Sequence, residues 1–299
     1  MANVTLKVDV ETLARMKDFY KENIVPNNGE YILFFAKIDN KTITAYNVKN
    51  GYSKVVFSSL DETRIWDPNI NVTESTKKEA PKEACWIYFD EQIGSDEVGV
   101  GDFFGPICVC AAYINKNDIG YLKSLGVDDS KRLTDEKIME IGKSLINHIE
   151  YSQCSIDNEK YNEVNETGLN MNEIKAKLHN QVLGNLYKKH KDAKIFMDQF
   201  VESSTYYHYL SSDKNVVYGI EFKTKGESYY PSVAVGSIIA RYSFLQKMNA
   251  LNEKYHVSIP FGASLKVTEF AREFVKKYGI DELDKIVKKN FKNYKEIKE

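Results

Sequence analysis

Cysteine is scarce, with four residues in 299, and neither sign of charge dominates. Cys85, Cys108, Cys110 and Cys154 are too few for a disulfide framework. Cys108 and Cys110 fall in the apolar run ICVCAAYI, where strand alternation places both on one face. They read as small core residues rather than a metal pair. The histidines (148, 179, 190, 208 and 256) form no HExxH or Cys–His zinc spacing. No apolar run approaches the roughly 20 residues of a membrane-spanning helix. The opening MANVTLKVDVETLARM lacks the basic, apolar and small-residue order of a signal peptide. A cytoplasmic protein is expected. With 41 Lys and Arg against 43 Asp and Glu, the net charge of -2 excludes a strongly polybasic chain. It leaves nucleic acid open as a partner, because cations can gather on one face.

What is present is ordinary for a globular protein: 42% hydrophobic and 28% charged residues, ample for a core. The length favours two domains. Residues 4–9 alternate as a strand, and 10–24 read as a helix with Leu13, Met16, Phe19 and Tyr20 on one side. YILFFAKID, KTITAYNV and SKVVFSS then read as three short strands between turn residues, giving a β-α-β-β-β unit that ends near Leu60. DPNINVTESTKKEAPKEA is polar and holds two prolines, so it reads as a linker. The expected division is 1–66, a linker over 67–84, and 85–299, with no internal repeat.

The second part opens on CWIYFDEQIGSDE and passes through glycines into PICVCAAYI, as neighbouring strands joined by a tight connection. Helices are expected over 134–150 and 172–190, then a buried strand, KIFMD. A long helix is expected from Pro231, with proline in its first turn. Its small residues Ala234, Gly236, Ser237 and Ala240 would let it lie close against a sheet. Sheet and helices together predict an α/β domain.

The stretch IGSDEVGVGDFFGP raises the chemical question. Asp96 and Glu97 stand together, and Gly99, Gly101 and Gly105 bare the backbone just beyond them. A dinucleotide loop is excluded, because G-V-G-D-F-F-G is one residue too long and carries Asp102 where phosphates would lie. No G-x-x-x-x-G-K-[ST] occurs. Asp198 ends the run AKIFMD and reads equally as a cap or turn residue. Glu227, in TKGESYYPS, reads also as a charge favouring the N-terminus of the following helix. Together the four acids suggest carboxylates gathered at one sheet edge. Such a set repels itself unless cations neutralise it. Oxygen ligands without His or Cys favour Mg²⁺ or Mn²⁺ over zinc. Two such ions can serve phosphodiester hydrolysis without a Ser–His or Cys–His pair.

The motifs DEVGVGDFFGP, DDSKRLT (128–134), MDQF (197–200) and KGESYYPSVAVGSIIAR (225–241) resemble, in this order, the prokaryotic type 2 ribonucleases H. The closer likeness is to their third branch, ribonuclease HIII, and it spans about residues 90–275. The resemblance implies a ribonuclease H fold, a mixed sheet with helices on both sides. It implies Mg²⁺- or Mn²⁺-dependent cutting of RNA in RNA–DNA hybrids, leaving 3′-hydroxyl and 5′-phosphate ends. It further implies that Asp96, Glu97, Asp198 and Glu227 are the catalytic metal ligands, with two ions during turnover. The backbone of Gly99, Val100 and Gly101 would meet successive 2′-hydroxyls. Ser130, Lys131 and Lys225 would hold phosphates, although Lys225 reads equally as a solvated loop lysine.

Val100 and Glu227 separate this chain from the second branch, which usually has Arg and Asp there and cuts at single embedded ribonucleotides. Val100 also departs from the Thr of many third-branch members. The third branch carries an N-terminal extension resembling half of a TATA-binding protein, and residues 4–60 fit that pattern. The implied partner of this domain is the hybrid, with a protein–protein module as the alternative. The lysine-rich end (VKKYGI, VKKNFKNYKEIKE) reads as added phosphate contacts or as a solvated helix face. No membrane association or obligatory protein partner is expected, and a monomer is the default. A degenerate fold that binds without cutting is the rival from another functional class, against which all four acids speak.

Overall fold

The computed structural model describes residues 4–26, 31–47, 52–68, 86–127 and 133–298. The chain divides into two compact units, Met1–Pro81 and Lys82–Glu299. Most of the expected linker lies outside the described residues, as do Cys85, Ser130 and Lys131.

The first unit runs β1 (Val4–Val8), α1 (Val10–Phe19), β2 (Ile32–Ile38), β3 (Lys41–Asn47), β4 (Ser53–Phe57) and α2 (Leu60–Arg64). Its sheet has the order β1-β4-β3-β2, with every pairing antiparallel. The period-2 pattern buries Phe34, Ala36, Ile43, Ala45, Val55 and Phe57 on one face, where they cluster with Met16 and Tyr20 of α1 and its end. Asp9 starts α1, its Oδ1 accepting the Thr12 N–H at 2.7 Å. Phe19, expected on the buried side, is exposed and packs edge-on against Trp66.

The second unit holds a five-stranded sheet of β5 (Glu91–Val98), β6 (Ile107–Asn115), β7 (Tyr151–Ile156), β8 (Lys194–Asp198) and β9 (Ile220–Lys223), in the order β7-β6-β5-β8-β9. β5, β6 and β7 pair antiparallel, whereas β8 and β9 join parallel. This is the expected mixed sheet. The strand leading to the acid pair begins at Glu91, later than the apolar run from Cys85 suggested.

Alternation along the central strands feeds two cores. Around the sheet lie α3 (Asp118–Ser124), α4 (Asp135–His148), α5 (Asn158–Glu166), α6 (Met171–Tyr187), α7 (Ser203–Tyr209) and α8 (Pro231–Tyr255). On one side, α4 and α8 pack against Cys110, Ala112 and Ile114. On the other, α6 packs against Ile93, Val109, Ala111 and Ile195. Cys108 and Cys110 are both fully buried, as small core residues would be. Among the described residues, no helix is long and apolar enough to cross a membrane.

α8 lies against β5 with no room between them. A Cβ on Gly94 would fall 2.4 Å from the Val233 nitrogen, and one on Gly236 would fall 3.1 Å from the Gly94 oxygen. The absence of both side chains sets how close the helix comes to the strand that carries the acids. Gly94→Ala is therefore expected to cost about 1–3 kcal/mol, the usual penalty of overpacking a core. Gly101→Ala, with nothing within 4 Å of the added carbon, should cost little by comparison. Denaturant unfolding checks both, and equal stabilities would contradict the packing argument.

Candidate active site

Successive strand residues point to opposite faces, and this divides the acid pair. Asp96 lies on the α8 side, with its carboxylate hydrogen-bonded by the Ser237 side chain and by the Glu97 N–H at 2.7 Å. Glu97 turns toward α6. Lys175 Nζ donates to its Oε1 and His179 Nε2 contacts its Oε2, each at 2.8 Å. Ser95, two residues earlier on the same face, meets His179 Nδ1 at 2.9 Å.

β8 brings the third acid. The parallel register sets Ser95 opposite Met197, so the next residue, Asp198, arrives beside Asp96 on the shared face. Asp198 Oδ1 accepts the Gly226 N–H at 2.9 Å. That bond ties Asp198 to the turn Gly226–Ser228, which carries Glu227 and leads into α8. Glu227 is fully buried (0% exposed).

Asp96, Glu97 and Asp198 line one cleft of about 480 Å³, together with Gly99, Val100, Gly101, Asp102, Leu133, Asp135, Ser237 and Arg241. Glu227 and Lys225 are not among its lining residues, and Lys225 is exposed at a left-handed turn with φ 58°. Gly99 has φ 95°, and a Cβ there would meet the Pro106 oxygen at 2.1 Å, so the turn itself demands glycine.

Residues 93–294 match the family described as Ribonuclease HII, and residues 3–65 match a family described only as a domain of unknown function. Ribonuclease HIII of Phytoplasma mali (strain AT) is 40% identical over 98% of this chain and 97% of its own length. Ribonuclease HIII of Bacillus anthracis is 38% identical over 97% and 96%. The crystal structure of Bst-RNase HIII in complex with Mn²⁺ matches with TM-score 0.66 and 31% identity, covering 99% of this chain and 98% of that one.

The chain belongs to the ribonuclease HIII family.

Within this ribonuclease HIII fold, burial and the neighbouring charges of Glu97 and Asp198 push the Asp96 carboxyl well above the usual carboxylate range. The bonds from Ser237 and the Glu97 N–H oppose that rise only in part. Burial acts on Glu97 in the same direction, but His179 and Lys175 outweigh it and hold this carboxyl below its ordinary value. The donor set around the cleft is thus carboxylate oxygen, which suits a hard divalent cation. Among the described residues, no three His, Cys, Asp or Glu side chains stand close enough together to hold an ion as placed.

Several residues of the site escaped sequence reasoning. Arg241 reaches across from α8 to Asp135 at 3.0 Å. Lys175 and His179 lie on the line of Val182 and Leu186 along α6, at helical spacings of 4, 7 and 11, so they occupy core positions. That phase was a readable signal. Lys288, taken with the lysine-rich end as a phosphate contact or a solvated face, is instead fully buried. Its Nζ donates to the carbonyls of Asp102 at 2.8 Å and Gly105 at 2.6 Å, bracing the glycine-rich loop from behind.

A carboxyl whose pKa is raised on folding stabilises the fold only where it is protonated. That contribution is complete below the unfolded value of 3.8 and is lost as pH rises through the folded value. In chelator at pH 7, Asp96→Asn should therefore raise the Tm, and its advantage over wild type should shrink as pH falls toward 4. Differential scanning calorimetry checks this. No advantage at pH 7, or one that persists unchanged at pH 4, would contradict it.

Proposed function

We propose that this chain is an endoribonuclease that hydrolyses the RNA strand of RNA–DNA hybrids at the cleft formed by Asp96, Glu97 and Asp198. The carrying observation is the convergence of these three acids, from two neighbouring strands, beside bare backbone. Family membership supplies the reaction class. The acids supply its location.

Asp96, Glu97, Asp198 and Glu227 are the residues we assign to hold Mg²⁺ or Mn²⁺. Two bound ions would activate a water and stabilise the departing 3′ oxygen, leaving 3′-hydroxyl and 5′-phosphate ends. Asp96 and Asp198 share a sheet face, and both would hold a cation there. The Gly226 N–H orients Asp198 for that part. Glu227 follows Gly226 in the turn whose N–H bonds Asp198, which supports its place as the fourth acid.

The glycine-rich loop supports recognition of RNA. Gly99 is explained by the fold alone, but Gly101 is exposed and has open space where a side chain would sit. A bare backbone that the fold does not require leaves room for a ribose and its 2′-hydroxyl to approach. Gly99, Val100 and Gly101 are accordingly assigned to the RNA strand, and Ser130, Lys131 and Lys225 to phosphates. The sheet of the first unit, with Thr5, Lys7, Lys37 and Lys54 on its exposed positions, is assigned to the hybrid backbone. All four acids come from one chain, so a monomer suffices for the reaction.

Cleavage of a labelled hybrid tests the reading. Asp198→Asn should bind hybrid yet lose about 10³-fold or more in kcat with either ion, the rate equivalent of the several kcal/mol that metal charge stabilisation supplies. Gly101→Ala should raise KM for hybrid while leaving stability nearly unchanged. Wild-type activity in Asp198→Asn, or preference for a DNA duplex holding one ribonucleotide, would overturn the assignment.

A further inference from the structure

Glu97 lies in the wall of the cleft with both oxygens already engaged. Lys175 Nζ and His179 Nε2, one helical turn apart on α6, each approach one oxygen at 2.8 Å. Lys175 is 5% exposed and His179 0%. A carboxylate only accepts, so His179 Nε2 carries the proton that faces it, and Ser95 at Nδ1 fixes the ring from the other side. Phe200, two residues past Asp198, packs on both partners of Glu97. Lys175 Nζ sits 3.8 Å from its ring centroid, and the His179 ring stacks at 5.4 Å.

The contrast with Asp96 is sharp. Among the described residues, the Asp96 carboxylate on the α8 face is bonded by a serine hydroxyl and a backbone N–H and not by a cationic side chain. Glu97, the next residue, is neutralised by a buried lysine. Its ion pair with Lys175 is buried, and its ring partner is locked by a serine, so the arrangement is built and not a passing surface contact.

We propose that Lys175 and His179 are positioning residues that hold Glu97 to the α6 side of the sheet, leaving substrate-free cation binding to rest on Asp96 and Asp198. The inference rests on the proposed function and deepens it. Glu97 joins the cation-binding set only after hybrid has entered the cleft, so the full set does not assemble around ions alone. Coulomb's law then fixes the sign of the test. Removing the Lys175 charge leaves Glu97 unneutralised and makes the cleft one unit more negative, which strengthens cation binding. A residue that merely propped Glu97 in place for the metal would give the opposite result when lost.

Calorimetric titration of Mn²⁺ into the full chain without nucleic acid reads this directly. Lys175→Met should bind Mn²⁺ about tenfold tighter than wild type, the scale set by removing one unit charge near a divalent ion at water-like dielectric. Lys175→Arg, which keeps the charge, should match wild type. His179→Leu releases the other oxygen and should also tighten binding, which keeps the test available if Lys175→Met fails to fold. Unchanged or weaker binding in the folded variants overturns the proposal. Asp198→Asn serves as the control. If it leaves wild-type Mn²⁺ binding intact, the proposed function fails, whatever Lys175 does.

Discussion

Like charges buried side by side cost free energy, and the second unit is organised around that cost. Asp96 sits out of solvent between two other carboxylates, and its raised pKa records the penalty. Among the described residues, Asp96 receives hydrogen bonds from Ser237 and the Glu97 N–H and none from a cationic side chain. Glu97 receives two partners from α6 instead. One acid is left in want of a positive charge, and its neighbour is supplied with one. A site that takes divalent cations needs this inequality, because a fully compensated carboxylate cluster has no further use for an ion.

Rigid elements hold that arrangement. Gly94 and Gly236 let α8 approach β5 until helix and strand backbones nearly touch, which brings Ser237 to Asp96 and Arg241 to the cleft. The loop that follows the acids is held from three directions. Asn158 and Lys288 donate to the Gly105 carbonyl, the Lys288 N–H to Phe103, and the Gly262 N–H to the Asp102 carboxylate. Chain segments far apart in sequence therefore converge to fix a few residues of exposed backbone. Preorganisation of that kind suits recognition of a sugar by main-chain groups, which have no rotamers to adjust.

Much of this was legible in the sequence. Alternation gave the strands, and the small residues of the long helix announced its close approach to the sheet. The acid pair and the glycines marked the cleft. What stayed hidden has physical causes. Lys175 and His179 are polar residues in a core stripe, and composition alone makes such residues look solvated. Lys288 sits in a lysine run that reads as surface, yet a buried amine is tolerable where two backbone carbonyls await it. Phe19 follows the helical phase of its neighbours, but it lies at the last turn, where the chain bends and Trp66 meets its ring. The opposite faces taken by Asp96 and Glu97 follow from strand geometry, but only once the strand is known to continue through both.

The central claim is that Asp96 and Asp198 form the two-carboxylate seat of a cation on the α8 face. A crystal of the full chain grown with Mn²⁺ and a hybrid, with Mn²⁺ located by its anomalous scattering, tests it most directly. The account predicts a peak within roughly 2.0–2.6 Å of oxygens from both residues, the range of hard-cation coordination. Manganese bound elsewhere, with Asp96 and Asp198 contacting none, would contradict it.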